Sequence, residues 1–445
     1  MTYFFVLILF LTPEWSIGHI IDMGQFSPPK DLAWLFFDLN SYFASVEQQD
    51  QSALRGRPVA VVPSDTDATS AIAASYEAKA YGIKTGTKIY EAKRLCPDLV
   101  CVLARHHIYV DYHQAIMAEV EKHIPVTKIC SIDEAACKLM KNEREEVKAV
   151  ALAHRIKDGL RRNVGKHIKC SIGLAPNAFL AKVATDMQKP DGLVILRPDE
   201  YAERLFELNL RDLCGIGANI ERRLYRGGIP SVKALYNAAP KQIRKIWGGV
   251  EGEKFWYRLH GYDVPDIETK KSVIGHSRVL DPSFRSCDKA LSMVLQLTTK
   301  ACARLRRHNL YAGRFSLSVR GVNGMYWGKE QRIIHTQDSF VFTKTVQELW
   351  HEMMYVTRWS HLKKVSINLY DLREAQNVTL DLFDQSREKT GTVINNLALS
   401  QAIDGLNQKF GSSTVNLGMC PKTSSGYVGT KIAFSRVPTA DEFRE

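Results

Sequence analysis

The stretch AWLFFDLNSYFASVEQ, residues 33–48, decides how this chain is interpreted. Its apolar run WLFF predicts a buried strand, and that strand leads directly into the carboxylate of Asp38. A core strand does not tolerate an unpaired carboxylate, because burying a charge without a partner costs free energy. Asp38 is therefore predicted to have a function.

A second segment supplies two more acids, Asp133 and Glu134, within the predicted strand TKICSIDEAACKL. Neighbouring residues of a regular strand face opposite sides, so these two share a site only at a strand end or bulge. Three carboxylates held together repel one another, and a divalent cation relieves that repulsion. Oxygen ligands alone favour Mg²⁺. An isolated Asp-Glu pair is more often a surface turn, so the metal site depends on the combination with Asp38.

The bulk composition is that of a folded, water-soluble protein with 45% apolar and 24% charged residues. A length of 445 residues predicts several domains. The net charge of +12 favours a polyanionic partner, although part of the excess is explained by solubility alone. The nine scattered cysteines include no CxxC pair, which predicts reduced intracellular thiols rather than a zinc site or a disulfide framework.

Residues 1–30 form a leader of doubtful status, because YFFVLILFL at 3–11 resembles the apolar core of a signal peptide. The segment has no basic flank and no clear cleavage site, and it is too short to span a bilayer. We favour the interpretation that this leader is an artefact of the choice of start site, with Met23 as the true start, over an anchor or a packed extension. A secreted protein is least favoured because of the free thiols.

The pattern of strands and helices predicts an α/β (α+β) fold built from several units. Strands alternate with helices up to about residue 205, and residues 57–97 form a small αβ insertion. Residues 206–265 are predicted to be a separate, mainly helical module with glycine-containing turns. Beyond a linker at 266–271, the strand-like runs KSVIGHSRVL, RFSLSVR and KKVSINLYDL and helices at 288–308 and 341–357 predict a second αβ domain.

The segments DLNSYFASVE (38–47) and CSIDEA (130–135) resemble the two signature motifs of the Y-family translesion DNA polymerases. The D-x-N form of the first is similar to members of the bacterial polymerase V type, whereas YEAK (76–79) and QKPDG (188–192) are similar to the polymerase IV type. The resemblance implies a right-hand architecture with a separate little finger. Its implied units are a palm at 31–46 and 106–205, fingers at 47–105, a helix-hairpin-helix thumb at 206–266, a little finger at 272–373 and a tail at 374–445.

The resemblance also implies an active site with two Mg²⁺ ions, held by Asp38, Asp133, Glu134 and the main-chain carbonyl of Leu39. Phe43 matches the steric gate, the aromatic ring that excludes the 2′-hydroxyl of a ribonucleotide. The other implied nucleotide contacts are Tyr42, Tyr76, Lys79 and Lys189. Without the resemblance, the aromatic residues would be interpreted as core packing and the lysines as surface charges.

Two positions depart from the family pattern. Many relatives have Arg where this chain has Lys79, and a hydroxyl residue where it has Ala73. Lysine keeps the charge but loses the bidentate geometry of a guanidinium. Weaker nucleotide binding is one consequence to expect.

The implied DNA contacts lie in two segments. LCGIGANIERRL (213–224) resembles a helix-hairpin-helix turn, in which Gly215 and Gly217 let the backbone approach a phosphate and Arg222 and Arg223 follow. Residues 270–309 hold nine Lys and Arg against two acids, which favours DNA binding over a solvated helix face. The little-finger contacts implied in this segment are Arg278, Arg304, Arg306 and Arg307.

The tail contains TLDLF (379–383), which is similar to the bacterial sliding-clamp motif, with Thr379 where Gln is typical. Leu380, Leu382 and Phe383 would be its clamp-binding residues, and apolar anchors of this kind enter an apolar pocket. A strand edge explains such a short motif equally well.

The resulting hypothesis is a template-directed, error-prone DNA polymerase that copies past damaged bases. Its expected partners are primer-template DNA, deoxynucleoside triphosphates and a sliding clamp. We expect a monomer in the bacterial cytoplasm, associated with the nucleoid and not with a membrane. The alternative is a non-catalytic accessory protein that binds DNA and the clamp, but such proteins tend to lose the acids. A nucleotidyl cyclase is disfavoured by the thumb-like and little-finger-like segments.

Overall fold

The computed structural model describes residues 30–265, 272–378, 396–411, 414–416 and 437. Most of the predicted leader, the linker at 266–271 and the clamp motif at 379–383 lie outside these residues. Eight of the nine cysteines lie within them and are free thiols. No helix in the described ranges is both long and apolar enough to cross a lipid bilayer.

The N-terminal half is built around a five-stranded sheet. Its elements, in chain order and together with those of the αβ insertion, are β1 (Trp34–Leu39), α1 (Tyr42–Asp50), β2 (Val59–Val62), β3 (Ala73–Ala74), α2 (Tyr76–Ala80), α3 (Ile89–Leu95), β4 (Val100–Leu103), α4 (His106–Glu121), β5 (Lys128–Ile129), β6 (Glu134–Lys138), α5 (Glu146–Gly159), β7 (Cys170–Ala175), α6 (Ala178–Met187) and β8 (Leu193–Ile195). The central sheet has the order β5-β6-β1-β7-β8. Every residue of β1 is buried between the antiparallel strands β6 and β7, which explains its continuous apolar run.

The strand predicted over TKICSIDEAACKL is in fact two short strands, β5 and β6, joined by residues 130–133. Asp133 lies in this connection and Glu134 is the first residue of β6. The register places Glu134 opposite Asp38 of β1. The side chains of these two adjacent acids can therefore face one site, because the connection breaks the strict alternation of a strand.

The αβ insertion has a sheet of its own in the order β3-β2-β4, with a separate apolar core. Helices α2 and α3 are separated at Gly82 and Gly86, as the sequence predicts. Both glycines have positive φ, 82° and 90°, a conformation that other residues rarely adopt.

The helical segment is less separate than predicted. It contains α7 (Tyr201–Phe206), α8 (Ala218–Arg226), α9 (Val232–Asn237), α10 (Pro240–Trp247) and α11 (Val250–Leu259). Its core residue Phe255 belongs to the same apolar cluster as Phe36 of β1 and Leu180 of α6. The Asn177 amide, at the start of α6, donates to the main-chain carbonyls of Arg258 and Tyr262 at 2.7 and 2.9 Å. These helices thus pack on the face of the central sheet that carries Phe36.

The C-terminal half forms the second αβ unit. Its elements are β9 (Ile274–Val279), α12 (Cys287–Arg307), β10 (Leu310–Gly321), β11 (Tyr326–Thr336), α13 (Ser339–Thr357), β12 (Leu362–Glu374) and α14 (Asn396–Phe410). The antiparallel sheet has the order β11-β10-β12-β9, and α12 and α13 bury one of its faces. The sequence predicts both helices and the other three strands but misses β11, whose residues are mostly polar.

The tail expected to be irregular contains α14, which packs against α12 and α13. Two of its residues, Ser400 and Ile403, are buried. Its Asp404 forms an ion pair with Arg306 of α12, with Nε and Oδ2 2.6 Å apart. This helix is therefore an additional part of the second αβ unit.

Candidate active site

The three predicted acids come together at one edge of the central sheet. Asp38 is near the end of β1 and is only 5% exposed. Glu134 lies opposite it on β6, and Asp133 precedes Glu134. The main-chain N–H of Leu39 donates to the carbonyl of Asp133 at 2.8 Å, which fastens the two segments together.

Two lysines neutralise part of this acidic cluster. The Lys182 ammonium, on α6, donates to Asp38 Oδ2 and lies 2.7 Å from Glu134 Oε1. The Lys189 ammonium lies 2.8 Å from Asp38 Oδ1. Burial alone would raise the pKa of Asp38, but the charges of the two lysines outweigh burial and hold its pKa below the usual value.

The other two acids are less well compensated. Burial raises the pKa of Asp133, and the hydrogen bond from Ser131 Oγ, 2.5 Å from Asp133 Oδ1, offsets only part of this effect. Burial also raises the pKa of Glu134, to about 7, although Lys182 opposes the shift. Additional positive charge nearby would stabilise the ionised form of both carboxylates.

The donor types of this cluster suit a divalent cation, although the three carboxylates are not spaced around one. The three acids offer only oxygen ligands in a poorly solvated position, the environment in which Mg²⁺ sites occur. Within the described ranges, no group of three or more His, Cys, Asp or Glu side chains is spaced to hold a metal ion. In the cluster the Lys182 ammonium contacts both Asp38 and Glu134, and it therefore supplies the positive charge between these two carboxylates.

Asn40 joins the acidic edge to the segment that carries Lys189, a role that the sequence analysis missed. Its side chain is buried, its Oδ1 accepts the main-chain N–H of Asp191 at 2.7 Å, and its Nδ2 donates to Ser171 Oγ at 3.2 Å. The Ser171 hydroxyl in turn donates to the carbonyl of Gln188 at 2.9 Å. The D-x-N form of the first motif was the available signal, since an amide both donates and accepts.

Lys182 was also missed. The sequence signal is a lysine within the otherwise apolar first two turns of α6, AFLAKV, where a surface lysine would not be expected. Burial would lower its pKa, but Asp38 and Glu134 raise it above the usual value. The lysine therefore remains charged within the acidic cluster.

The predicted nucleotide contacts surround this cluster. The Lys79 ammonium lies 4.3 Å from the centre of the Tyr76 ring. Partial burial and the charge of Lys189 lower the pKa of Lys79, and Asp38 opposes them. The structure thus brings Tyr76, Lys79 and Lys189 within electrostatic range of Asp38. Ala73 is buried in β3, on the same small sheet.

Phe43 lies in the first turn of α1, immediately after the acidic edge. Its side chain is 6% exposed, and its ring stacks on Tyr109 of α4 with the centroids 4.6 Å apart and the planes 26° apart. The neighbouring Tyr42 hydroxyl donates to the main-chain carbonyl of Tyr109 at 2.5 Å. This position is compatible both with core packing and with a ring that contacts a sugar.

The glycine turn at 213–217, which the sequence predicts to contact a phosphate, leads into α8. Gly215 has a φ of 96°, which disfavours other residues, and Gly217 is the N-cap of α8. A Cβ built at Gly217 would meet nothing within 4 Å, so its backbone is open to approach. Arg222 and Arg223, on α8, are exposed.

The predicted little-finger arginines lie mainly on the helical side of the sheet. The Arg306 side chain is 6% exposed, and besides Asp404 it donates to the Gln337 carbonyl at 2.7 Å and to Ser339 Oγ at 2.9 Å. This arrangement argues against its predicted role in DNA binding, because the guanidinium holds α14 in place. Arg278 is 11% exposed, and its Nη1 lies 3.7 Å from the sulfur of Met293, on α12. Arg304 and Arg307 lie in the last turn of α12.

The opposite face of that sheet, termed here the open face, carries basic residues that the sequence analysis did not select. Phe315, Leu317 and Val319 point to the helices, so the alternate residues of β10 point away from them. The register places Arg320 between Tyr326 and Lys364, and Ser318 in the next row lies between Gly328 and Ser366. Glu330 lies on the same face, opposite Ser316. The residues of the open face used below are Arg314, Ser316, Ser318, Arg320, Arg332, Lys364, Ser366 and Asn368.

Two family models match the chain. Residues 37–186 match the impB/mucB/samB family, and residues 270–382 match the C-terminal domain of that family. The first match contains all three acids and Lys182.

Known proteins resemble the chain over most of its length. The DNA polymerase IV of Moorella thermoacetica is 30% identical over 399 residues, which cover 87% of this chain and 96% of that protein. The DNA polymerase IV of Pelotomaculum thermopropionicum is 30% identical over 394 residues, covering 86% and 93%. Among solved structures, a Y-family DNA polymerase chimera of Dbh and Dpo4 has a TM-score of 0.65 at 24% identity and covers 77% of this chain and 100% of its own. That last likeness concerns the fold.

Proposed function

Because the chain belongs to the Y family of DNA-directed DNA polymerases, whose activity is translesion synthesis, we propose that Asp38, Asp133 and Glu134 are its catalytic acids. The observation that carries this proposal is the meeting of the three carboxylates at the paired ends of β1 and β6. The surplus of buried negative charge supports it, because such a cluster is costly without cations. A non-catalytic accessory protein would have no need to retain it.

The reaction is a metal-dependent nucleotidyl transfer, and we propose that two Mg²⁺ ions serve it. The three acids and the main-chain carbonyl of Leu39 would hold them. When bound, the ions supply the positive charge that activates the primer 3′-hydroxyl and stabilises the leaving pyrophosphate. Lys182 keeps Asp38 and Glu134 together, and Asn40 holds the Lys189 segment beside them.

The substrate contacts follow from the charges around the acids. Lys189 and Lys79 would pair with the triphosphate of an incoming deoxynucleotide, and Tyr76, held beside Lys79, would donate its hydroxyl. Phe43, with Tyr42 next to it, would lie under the sugar and act as the steric gate. Because residue 79 is a lysine and not an arginine, its contact with a phosphate would be that of a point charge rather than a bidentate pair.

The DNA interface is proposed to have two parts. The turn at Gly215 and Gly217, with Arg222 and Arg223, would contact the duplex backbone. The open face would contact the backbone through Arg320, Arg332 and Lys364, and through Arg314, which is paired with Glu330 at 3.1 Å in the structure. Arg304 and Arg307 remain predicted contacts at the helical side, and Arg306 is left out of the interface.

The remaining proposals rest on sequence. TLDLF would bind a sliding clamp through Leu380, Leu382 and Phe383, and the chain would act as a monomer on the bacterial nucleoid. Replacing Leu382 and Phe383 by Ala should abolish stimulation by the host clamp and leave extension of short primers unchanged. Equal stimulation of the variant and the wild type would exclude the motif.

The decisive experiment is primer extension by the purified chain with Mg²⁺ and the four deoxynucleotides. We expect extension by the wild type and by Asp199→Asn, an exposed acid that serves as the matched control, and none by Asp133→Asn. DNA binding by all three should be similar. A wild type that binds primer-template but does not extend it would favour the accessory protein.

A further inference from the structure

The ring of Phe43 is backed by a buried polar network rather than by apolar side chains alone. Tyr109, on which the ring stacks, is completely buried, and its hydroxyl donates to Glu47 Oε1 at 2.7 Å. Glu47 is also completely buried. A buried carboxylate is an expensive means of filling space, since apolar residues of the same volume pack at least as well.

An arginine at the N-terminal end of α4 completes the network. Arg105 Nε and Nη2 donate to the Glu47 carboxylate, with Nη2 2.6 Å from Oε2, and the same guanidinium lies 2.7 Å from Asp50. The Gln51 amide donates to Glu47 as well, at 2.8 Å. The carboxylate is therefore fully engaged, and its position is determined by several partners at once.

The spacing of these residues joins two helices into one rigid pair. Phe43 and Glu47 are four residues apart and lie on one face of α1, and Tyr109 is in the first turn of α4, whose N-cap is Arg105. The stacked rings form one contact and the ion pair with its hydroxyl forms the other. The hydrogen bond from Tyr42 to the Tyr109 carbonyl fixes the same turn of α1.

A steric gate discriminates only if its ring stays in place. A clash with a 2′-hydroxyl is relieved when the ring moves away by a fraction of an ångström. The residue packed against the ring therefore determines the free-energy penalty for a ribonucleotide. In this structure the Phe43 ring stacks on Tyr109. Displacement of Tyr109 is opposed by Glu47 and Arg105.

We infer that Tyr109, held by Glu47 and Arg105, is a positioning residue that sets the sugar selectivity of this polymerase by fixing the Phe43 ring. The inference rests on the proposed role of Phe43 as the steric gate. Tyr109 itself does not touch the substrate. Its effect is therefore exerted through Phe43 and disappears when that ring is removed.

The test measures the ratio of kcat/KM for a deoxynucleotide to that for the matching ribonucleotide in single-nucleotide incorporation. Tyr109→Leu should lower the ratio by about tenfold, at the lower end of what one small steric misfit contributes to discrimination. Tyr201→Leu is the matched control, because it removes another buried tyrosine ring, on α7. It should leave the ratio unchanged. In a Phe43→Ala background, Tyr109→Leu should have no further effect on the ratio.

The outcomes separate this inference from the proposed function. If Phe43→Ala does not change the ratio, the gate assignment fails and the inference fails with it. If Phe43→Ala lowers the ratio but Tyr109→Leu leaves it unchanged, or lowers it equally in both backgrounds, only the inference is overturned.

If Tyr109→Leu does not fold, Tyr109→Phe replaces it. This variant keeps the ring and loses the bond to Glu47, so the ratio should fall about threefold, the size expected of one net hydrogen bond. An unchanged ratio in that variant overturns the inference.

Discussion

The acidic edge of the central sheet and the open face of the second sheet use charge in opposite ways. At the acidic edge, Asp38 is buried, Asp133, Glu134 and Lys182 are partly buried, and each charged group touches named partners, as Asp38 touches Lys182 and Lys189. On the open face, Arg320 and Lys364 are exposed and lie side by side across two strands. The first arrangement holds a few atoms in fixed positions, whereas the second presents a field of positive charge.

The difference determines how each region tolerates change. In the proposed function, chemistry at the acidic edge would depend on interactions made over a few ångströms, so losing one ligand would remove several kcal/mol of transition-state stabilisation. Contact with a phosphate backbone is a sum of many screened interactions, each of small value. Substitutions in the two regions should therefore differ greatly in size.

The largest effect is expected at Asp38. Asp38→Asn removes a proposed metal ligand without changing the size of the side chain, so the rate of nucleotide incorporation should fall by about a thousandfold or more. The measurement is a single-turnover rate, with DNA affinity followed by fluorescence anisotropy. A variant that keeps a tenth of the wild-type rate would break the contrast between the two regions.

The next effect is expected at Phe43. Phe43→Ala opens space beside the sugar, so selectivity for deoxynucleotides over ribonucleotides should fall by about a hundredfold, while deoxynucleotide incorporation changes much less. The two specificity constants provide the measurement. Selectivity equal to that of the wild type in a folded, active variant would leave Phe43 as core packing.

A smaller effect is expected at Asn40, which contacts no substrate in the proposed site. Asn40→Ala should lower kcat/KM for a deoxynucleotide by about tenfold, because the Lys189 segment loses its tether and reacting groups are positioned less well. Asn40→Asp keeps the acceptor for the Asp191 N–H and should lose less. Steady-state kinetics of both variants would test the tether, and an equal loss in the two would count against it.

The smallest effects are expected on the open face. Arg320→Ala and Lys364→Ala should each weaken DNA binding by about two- to threefold and reduce the salt dependence by about one counterion. Arg306→Ala is the contrasting variant. It should leave DNA affinity unchanged and lower the free energy of unfolding by about 1–3 kcal/mol, since it removes charge-assisted hydrogen bonds. A loss of DNA affinity in Arg306→Ala that matches the loss in Arg320→Ala would remove the distinction between the two sides of the sheet.

Much of the acidic edge was predictable from the sequence because its chemistry needs particular residues in particular order. An aspartate after an apolar run and a second pair of acids were enough to select Asp38, Asp133 and Glu134. Lys182 and Asn40 were missed because their roles arise from contacts with residues far along the chain, 144 positions apart for Lys182 and Asp38 and 151 for Asn40 and Asp191. No local pattern encodes such contacts.

Family membership, the polymerase chemistry and most of the helices and strands follow from the sequence, because they depend on local patterns of hydrophobicity and on residue types that a reaction requires. The purpose that each charge serves depends on the folded arrangement. This arrangement paired Arg306 with Asp404 inside the second unit, turned Arg320 and Lys364 outward, and placed Tyr109 against Phe43. The physical reason is that a charge or a ring has the same identity in any sequence, whereas its free energy depends on burial and partners that exist only after folding.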